Sequence, residues 1–153
     1  MNFRELSRGE LVATIGGVLL AISLALSWFE LGNRHATLGS CRGPNVACSG
    51  WAALPILRFL LLLAAIAPAI LAWIIIRGHA LSWPRGELTA VTALVALAQI
   101  LFVGVLDKPG MPRGEISIGL GWFVALGGGL LILFGSVWRA KESGAKRKPP
   151  GVL

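Results

Sequence analysis

The chain is poor in the residues that do chemistry. It holds two cysteines and two histidines among 153 residues, and only 14% of its residues are charged. His35 and His79 fall in different loops, and Cys41 and Cys48 alone cannot supply a zinc-type ligand set. There is no glycine loop of the phosphate-cradling kind and no serine elbow. With no catalytic constellation in view, the sequence reads as non-enzymatic, with no cofactor and no metal.

Apolar residues are what the chain has in abundance. They make up 56% of it, and its mean hydropathy is +0.77. A soluble domain of this length has too small an interior to hide that much apolar surface. Lipid is the expected solvent. The net charge of +7 could suggest nucleic acid, but the charges sit at the ends of apolar runs and in the C-terminal tail. Lipid headgroups suit that distribution, and no nucleic-acid partner is expected.

Four apolar runs stand out, at residues 11–29, 52–76, 88–106 and 116–138. At about 1.5 Å per residue, even the shortest covers roughly 28 Å, enough for a hydrocarbon core. In lipid such a run must be helical, because its backbone has no water to bond. The first is read as an uncleaved span rather than a signal peptide, since Glu5 and Glu10 dilute its basic start and Trp28-Phe29 would directly follow the cut. The expected fold is therefore all-α, an antiparallel bundle of four transmembrane helices over residues 1–138. Residues 139–153 are expected to form a disordered basic tail.

Orientation follows from lysine and arginine. Arg4, Arg8, Arg77, Arg85 and five tail residues (Arg139, Lys141, Lys146, Arg147, Lys148) lie on one side. Arg34, Arg42, Lys108 and Arg113 lie on the other. The richer side should be cytoplasmic, which puts both termini inside a bacterial plasma membrane. Trp28, Trp51 and Trp122 are expected in an outer aromatic belt, and Trp73, Trp83 and Trp138 in an inner one. The tail, with Lys146-Arg147-Lys148, is expected to meet anionic headgroups.

The first outer loop, residues 30–51, contains "CRGPNVAC". Gly43-Pro44-Asn45 is a turn signal between Cys41 and Cys48, so the pair is expected to form a disulfide on the oxidising side. In the last run Gly121, Gly128 and Gly135 repeat every seven residues, which places them on one line as a helix-packing seam.

Three polar residues need an account within or beside the spans: Arg58, Glu30 and Gln99. Ala65, Ala69 and Ala72 lie on the same helical face as Arg58, so Arg58 is expected to face the bundle interior and reach outward to Glu30. Asp107 and Glu115 are alternative outer acids, and Gln99 should bond to a neighbouring helix.

The segments "LSWFE", "SGWAAL" and "GLGWFVALGGGLLILFGSVWR" resemble a loose group of four-span integral membrane proteins of actinobacteria. The resemblance implies the same architecture and no particular activity. The leading functional expectation is an accessory or interaction subunit that meets a protein partner or a second copy. A small transporter or channel subunit with a polar path at Arg58, Glu30 and Gln99 is the alternative. A thiol redox protein of the outer face is the third.

Overall fold

The computed structural model describes residues 7–32, 34–77 and 86–145. The molecule is mostly helical. The elements in order are α1 (Arg8–Ser23), β1 (Ser27–Leu31), β2 (Thr37–Leu38), β3 (Cys41–Arg42), β4 (Val46–Ser49) and α2 (Gly50–Ala53), followed by α3 (Leu57–Ile76), α4 (Glu87–Leu101), β5 (Ile116–Ile118) and α5 (Leu120–Ala145). A turn of π-helix, Phe102–Leu106, continues α4. The expectation of an all-α fold is thus corrected: strands occupy the C-terminal end of the first apolar run and the N-terminal end of the last.

Among the described residues, three helical stretches are long and apolar enough to cross a membrane: Leu57–Ile76, Glu87–Leu106 and Leu120–Glu142, with mean hydropathies of 2.8, 2.3 and 2.0. The first run makes a shorter helix of 16 residues. Ser7 caps it. The Ser7 side chain accepts from the Glu10 amide, and the Glu10 carboxylate accepts from the Ser7 amide at 2.8 Å, a complete capping box. The helix stops at Ser23 because local groups claim its last carbonyls. The Ser23 hydroxyl donates to the Leu20 carbonyl at 2.6 Å. The Ser23 carbonyl in turn accepts from the Trp28 indole at 2.8 Å and from the Leu26 amide at 3.0 Å.

The chain then runs into β1, the centre of an antiparallel sheet ordered β4-β1-β5. Phe29 faces Cys48 on one side and Ile118 on the other. An irregularity in register between Ser27 and Phe29 lets two successive residues, Trp28 and Phe29, both turn inward, where each is fully buried. Glu30 points away and is exposed. The β2–β3 hairpin leads to β4 through a turn in which Gly43 (φ 110°) and Asn45 (φ 54°) take left-handed conformations. Thr37 exchanges backbone hydrogen bonds with Met111 at 3.0 and 3.1 Å. The two loops at this end, read from sequence as separate, therefore form one cap.

The helices bury small residues and turn large ones outward. On α1, Leu11, Ile15, Val18 and Ile22 lie exposed along one stripe, while Gly9, Ala13, Gly16, Gly17 and Leu20 are buried. Ala64, Ala65 and Ala72 of α3, Ala93 and Ala96 of α4 and Ala125 of α5 fill the interior. The antiparallel pair α1 and α5 meets along glycines. A Cβ added to Gly16 would lie 2.7 Å from the Gly128 carbonyl oxygen, and one on Gly9 2.6 Å from that of Gly135. The backbones can pass this closely only where side chains are missing. Gly17 makes the corresponding contact with the Ala65 carbonyl of α3.

Helix α5 continues to Ala145, so residues 139–145 are helical, where an irregular tail was expected. Residues 146–153 lie outside the described residues.

Candidate functional site

Buried polar groups in an otherwise apolar bundle mark the place to look, because each is costly unless partnered. At the end of the bundle that carries both chain termini, four elements converge on a pocket. It is lined by Glu10 and Ala13 of α1, Pro68 and Leu71 of α3, Thr89 of α4, and Gly135, Ser136 and Arg139 of α5, with Gly9 beside them. Glu10 and Arg139 form an ion pair with only 3% and 6% of their side chains exposed. The Thr89 hydroxyl donates to the Gly86 carbonyl at 2.9 Å, and the Ser136 hydroxyl donates to Thr89 at 2.9 Å. Gly86 adopts φ 102°, and a side chain there would run into the Ser136 carbonyl at 2.9 Å. The cluster thus ties the first, third and last of the long helices into a clasp.

Sequence reasoning placed Arg139 in the tail and passed over Glu10, Thr89 and Ser136. One signal was available. Ser7-Arg8-Gly9-Glu10 reads as a capping box, which fixes Glu10 at the inner face of the first helical turn. Its partner was hidden, because the α1–α5 contact joins opposite ends of the chain.

The three polar residues singled out from sequence are not brought together. Arg58 does not pair with Glu30. Its guanidinium lies over the Trp51 ring at 4.6 Å and over the Phe59 ring at 4.9 Å, and its Nη1 donates to the Trp51 carbonyl at 3.0 Å. Arg58 shares the first turns of α3 with exposed Ile56, Phe59 and Leu60, so it lies at the rim of the bundle and not inside it. Glu30 stands on the outer face of the sheet beside Ser117, whose hydroxyl donates to the Glu30 carbonyl at 3.4 Å. Gln99 is half-buried on α4, and its Oε1 has no hydrogen-bond partner among the described residues. Of the alternative acids, Asp107 pairs with Arg113 at 2.6 Å.

The tryptophans also divide differently from the expected belts. Trp51, Trp73 and Trp138 are exposed, whereas Trp28 and Trp122 are buried. Glycine sockets hold the two buried rings. A Cβ on Gly50 or on Gly121 would strike the Trp28 indole at 2.6 Å, and Gly104 makes the same room for Trp122. The Trp122 indole donates to the Ile100 carbonyl at 2.8 Å, next to where α4 changes to π winding. Trp83 lies outside the described residues, as does His79.

Gly121, Gly128 and Gly135 all lie on the buried side of α5, against Trp28, Gly16 and Gly9 in turn. Cys41 and Cys48 are joined by a disulfide with their Cα atoms 5.9 Å apart. Cys48 is fully buried in β4, beside Phe29 of β1, so the bond ties the hairpin to the sheet. Among the described residues, no group of three histidine, cysteine or acidic side chains is placed to hold a metal ion.

Comparison with protein-family models, with curated proteins and with solved structures finds no match to the chain. Its role is therefore argued from geometry.

Proposed function

We propose that the chain is a multi-pass protein of the bacterial cell membrane in which all four long helices cross the bilayer, both termini are cytoplasmic, and the bundle serves as an accessory or interaction subunit. One observation carries this reading: each long helix presents large apolar residues outward and packs glycine and alanine inward. That is the arrangement lipid favours. It extends to α1, whose exposed stripe of Leu11, Ile15, Val18 and Ile22 runs its full length although the helix spans only about 24 Å.

The transporter reading loses support because Arg58, Glu30 and Gln99 lie apart and glycine contacts close the interior between α1 and α5. The redox reading loses support because the Cys48 sulfur is closed to a thiolate, which leaves the half-buried Cys41 sulfur as the single point of attack. The basic residues of the tail remain the proposed contact with anionic headgroups of the inner leaflet.

Fusing a reporter active only outside the cell to the C-terminus tests the topology. No activity is expected there, and strong activity would reverse the orientation. Crosslinking in intact membranes followed by purification tests the role. A stable partner or a second copy is expected, and recovery of the chain alone would sink the subunit assignment.

A further inference from the structure

We propose that Arg58 holds the phosphate of a net-anionic phospholipid at the outer rim of the bundle. The proposal rests on the membrane reading above. Arg58 is a cation with one protein acceptor among the described residues, the Trp51 carbonyl at 3.0 Å. Its buried Nε has none, and among the described residues no carboxylate pairs with it. A guanidinium carries five N–H donors in a planar fork that matches two oxygens of a phosphate. The Trp51 and Phe59 rings flank it together, their centroids 4.6 and 4.9 Å from its central carbon and 6.0 Å from each other. Those contacts hold the guanidinium from one side and leave its Nη2 for a ligand. Both rings are themselves exposed, at 44% and 56%, so the half-buried Arg58 sits at the molecular surface and not in the interior of the bundle.

The far end of α3 places this surface in the bilayer. Arg77 stacks on Trp73 at 4.7 Å, in the same kind of pair as Arg58 with Trp51. From Arg58 to Arg77 is about 28 Å along the helix, close to the thickness of a hydrocarbon core. Two arginine–tryptophan pairs at this spacing put each guanidinium at a headgroup level. There an unpaired cation is satisfied by phosphate, and a headgroup of net negative charge satisfies it best.

The test uses the full chain in lipid nanodiscs containing phosphatidylcholine and a minor fraction of phosphatidylglycerol. Lys146, Arg147 and Lys148 are changed to Gln so that the tail does not contribute. Native mass spectrometry then reads which lipids stay bound. Phosphatidylglycerol is expected to be enriched about fivefold over its bulk share. In Arg58→Gln the enrichment should vanish, and in Arg58→Lys, which keeps the charge but loses the fork, it should fall part way. Phe59→Leu, which removes one of the two ring contacts, should weaken it without touching the charge. Unchanged enrichment in Arg58→Gln and Arg58→Lys would overturn the proposal and leave the membrane reading intact. Recovery of the chain in the soluble fraction of cells would overturn both. Displacement of the bound lipid by millimolar inorganic phosphate would overturn the lipid assignment and give the site to a soluble phosphate.

Discussion

Arg139 and Arg58 sit at opposite ends of the bundle and exchange the roles their sequence neighbourhoods suggest. Arg139 follows the last apolar run and precedes a basic tail, yet it is buried against Glu10. Arg58 lies among leucines, yet it rests at the rim between two exposed rings. The difference comes from which face of the helix each occupies and what the neighbouring helix offers there. On α5, Gly135 and Ser136 let α1 come close enough for Glu10 to reach Arg139. On α3, Leu57 and Leu61 of the same turn pack against the core, and Arg58 lies beside the exposed Trp51 and Phe59 rings.

The largest effect should follow from breaking the clasp. Glu10→Ala or Arg139→Ala leaves one charge buried without its partner and should cost about 3–5 kcal/mol. Thermal unfolding in detergent measures this. The double variant Glu10→Met with Arg139→Met should recover most of the loss, and equal or greater loss in the double variant would mean that the pair is not a unit. At the other end, Cys41→Ser should cost about 2.5 kcal/mol, the loop-closure figure for so short a crosslinked segment. Because the bond lies within the cap, hydrogen exchange should rise in β2–β4 and stay unchanged in α5.

A smaller effect contrasts two faces of one helix. Gly128→Val drives a side chain into the Gly16 carbonyl and should cost about 1–3 kcal/mol. Gly127 has nothing within 4 Å of an added Cβ, so Gly127→Val should be nearly neutral or slightly stabilising. Equal losses at both positions would remove the argument for a glycine seam. The smallest effect belongs to Arg58→Ala, about 0.5–1 kcal/mol for an exposed cation–ring contact. A loss as large as that of Arg139→Ala would mean that the two arginines are not the contrasting pair described above.

The apolar runs were legible because length and hydropathy are local properties. Gly121, Gly128 and Gly135 were legible because a repeat of seven nearly closes two helical turns. The ends of the first and last runs were not. Hydropathy counts Trp28, Phe29, Ile116 and Ile118 alike whether they lie in a helix or a strand. Only the alternation in Ile116-Ser117-Ile118 hinted at β5, and its partner β1 lies far away in the chain. Trp28 and Trp122 sit where an interfacial belt would place them, and what buries them is an absence of side chains at Gly50, Gly121 and Gly104. Such sockets cannot be seen without the neighbouring segment. The Arg58–Glu30 expectation failed for a related reason. It placed both residues at the same level of the membrane but assumed that α1 continued past Ser23, whereas the chain leaves the helix there and carries Glu30 onto the outer face of the sheet.

The glycine contact between α1 and α5 also bears on how the protein is made. Helix α1 leaves the ribosome well before α5 and meets that neighbour only when α5 follows it. Until then Glu10 has no Arg139, Trp28 lacks the wall supplied by Gly121, and β1 lacks the strand Ile116–Ile118. A nascent chain stopped anywhere before α5 is therefore an open assembly in which the Glu10 carboxylate, at the end away from the sheet, lacks Arg139. The contacts of α1 and β1 with α3 and β4 can form earlier, but closure against α5 is a late event, and a chain shortened before α5 is expected to be cleared by proteolysis and not to accumulate as a smaller bundle.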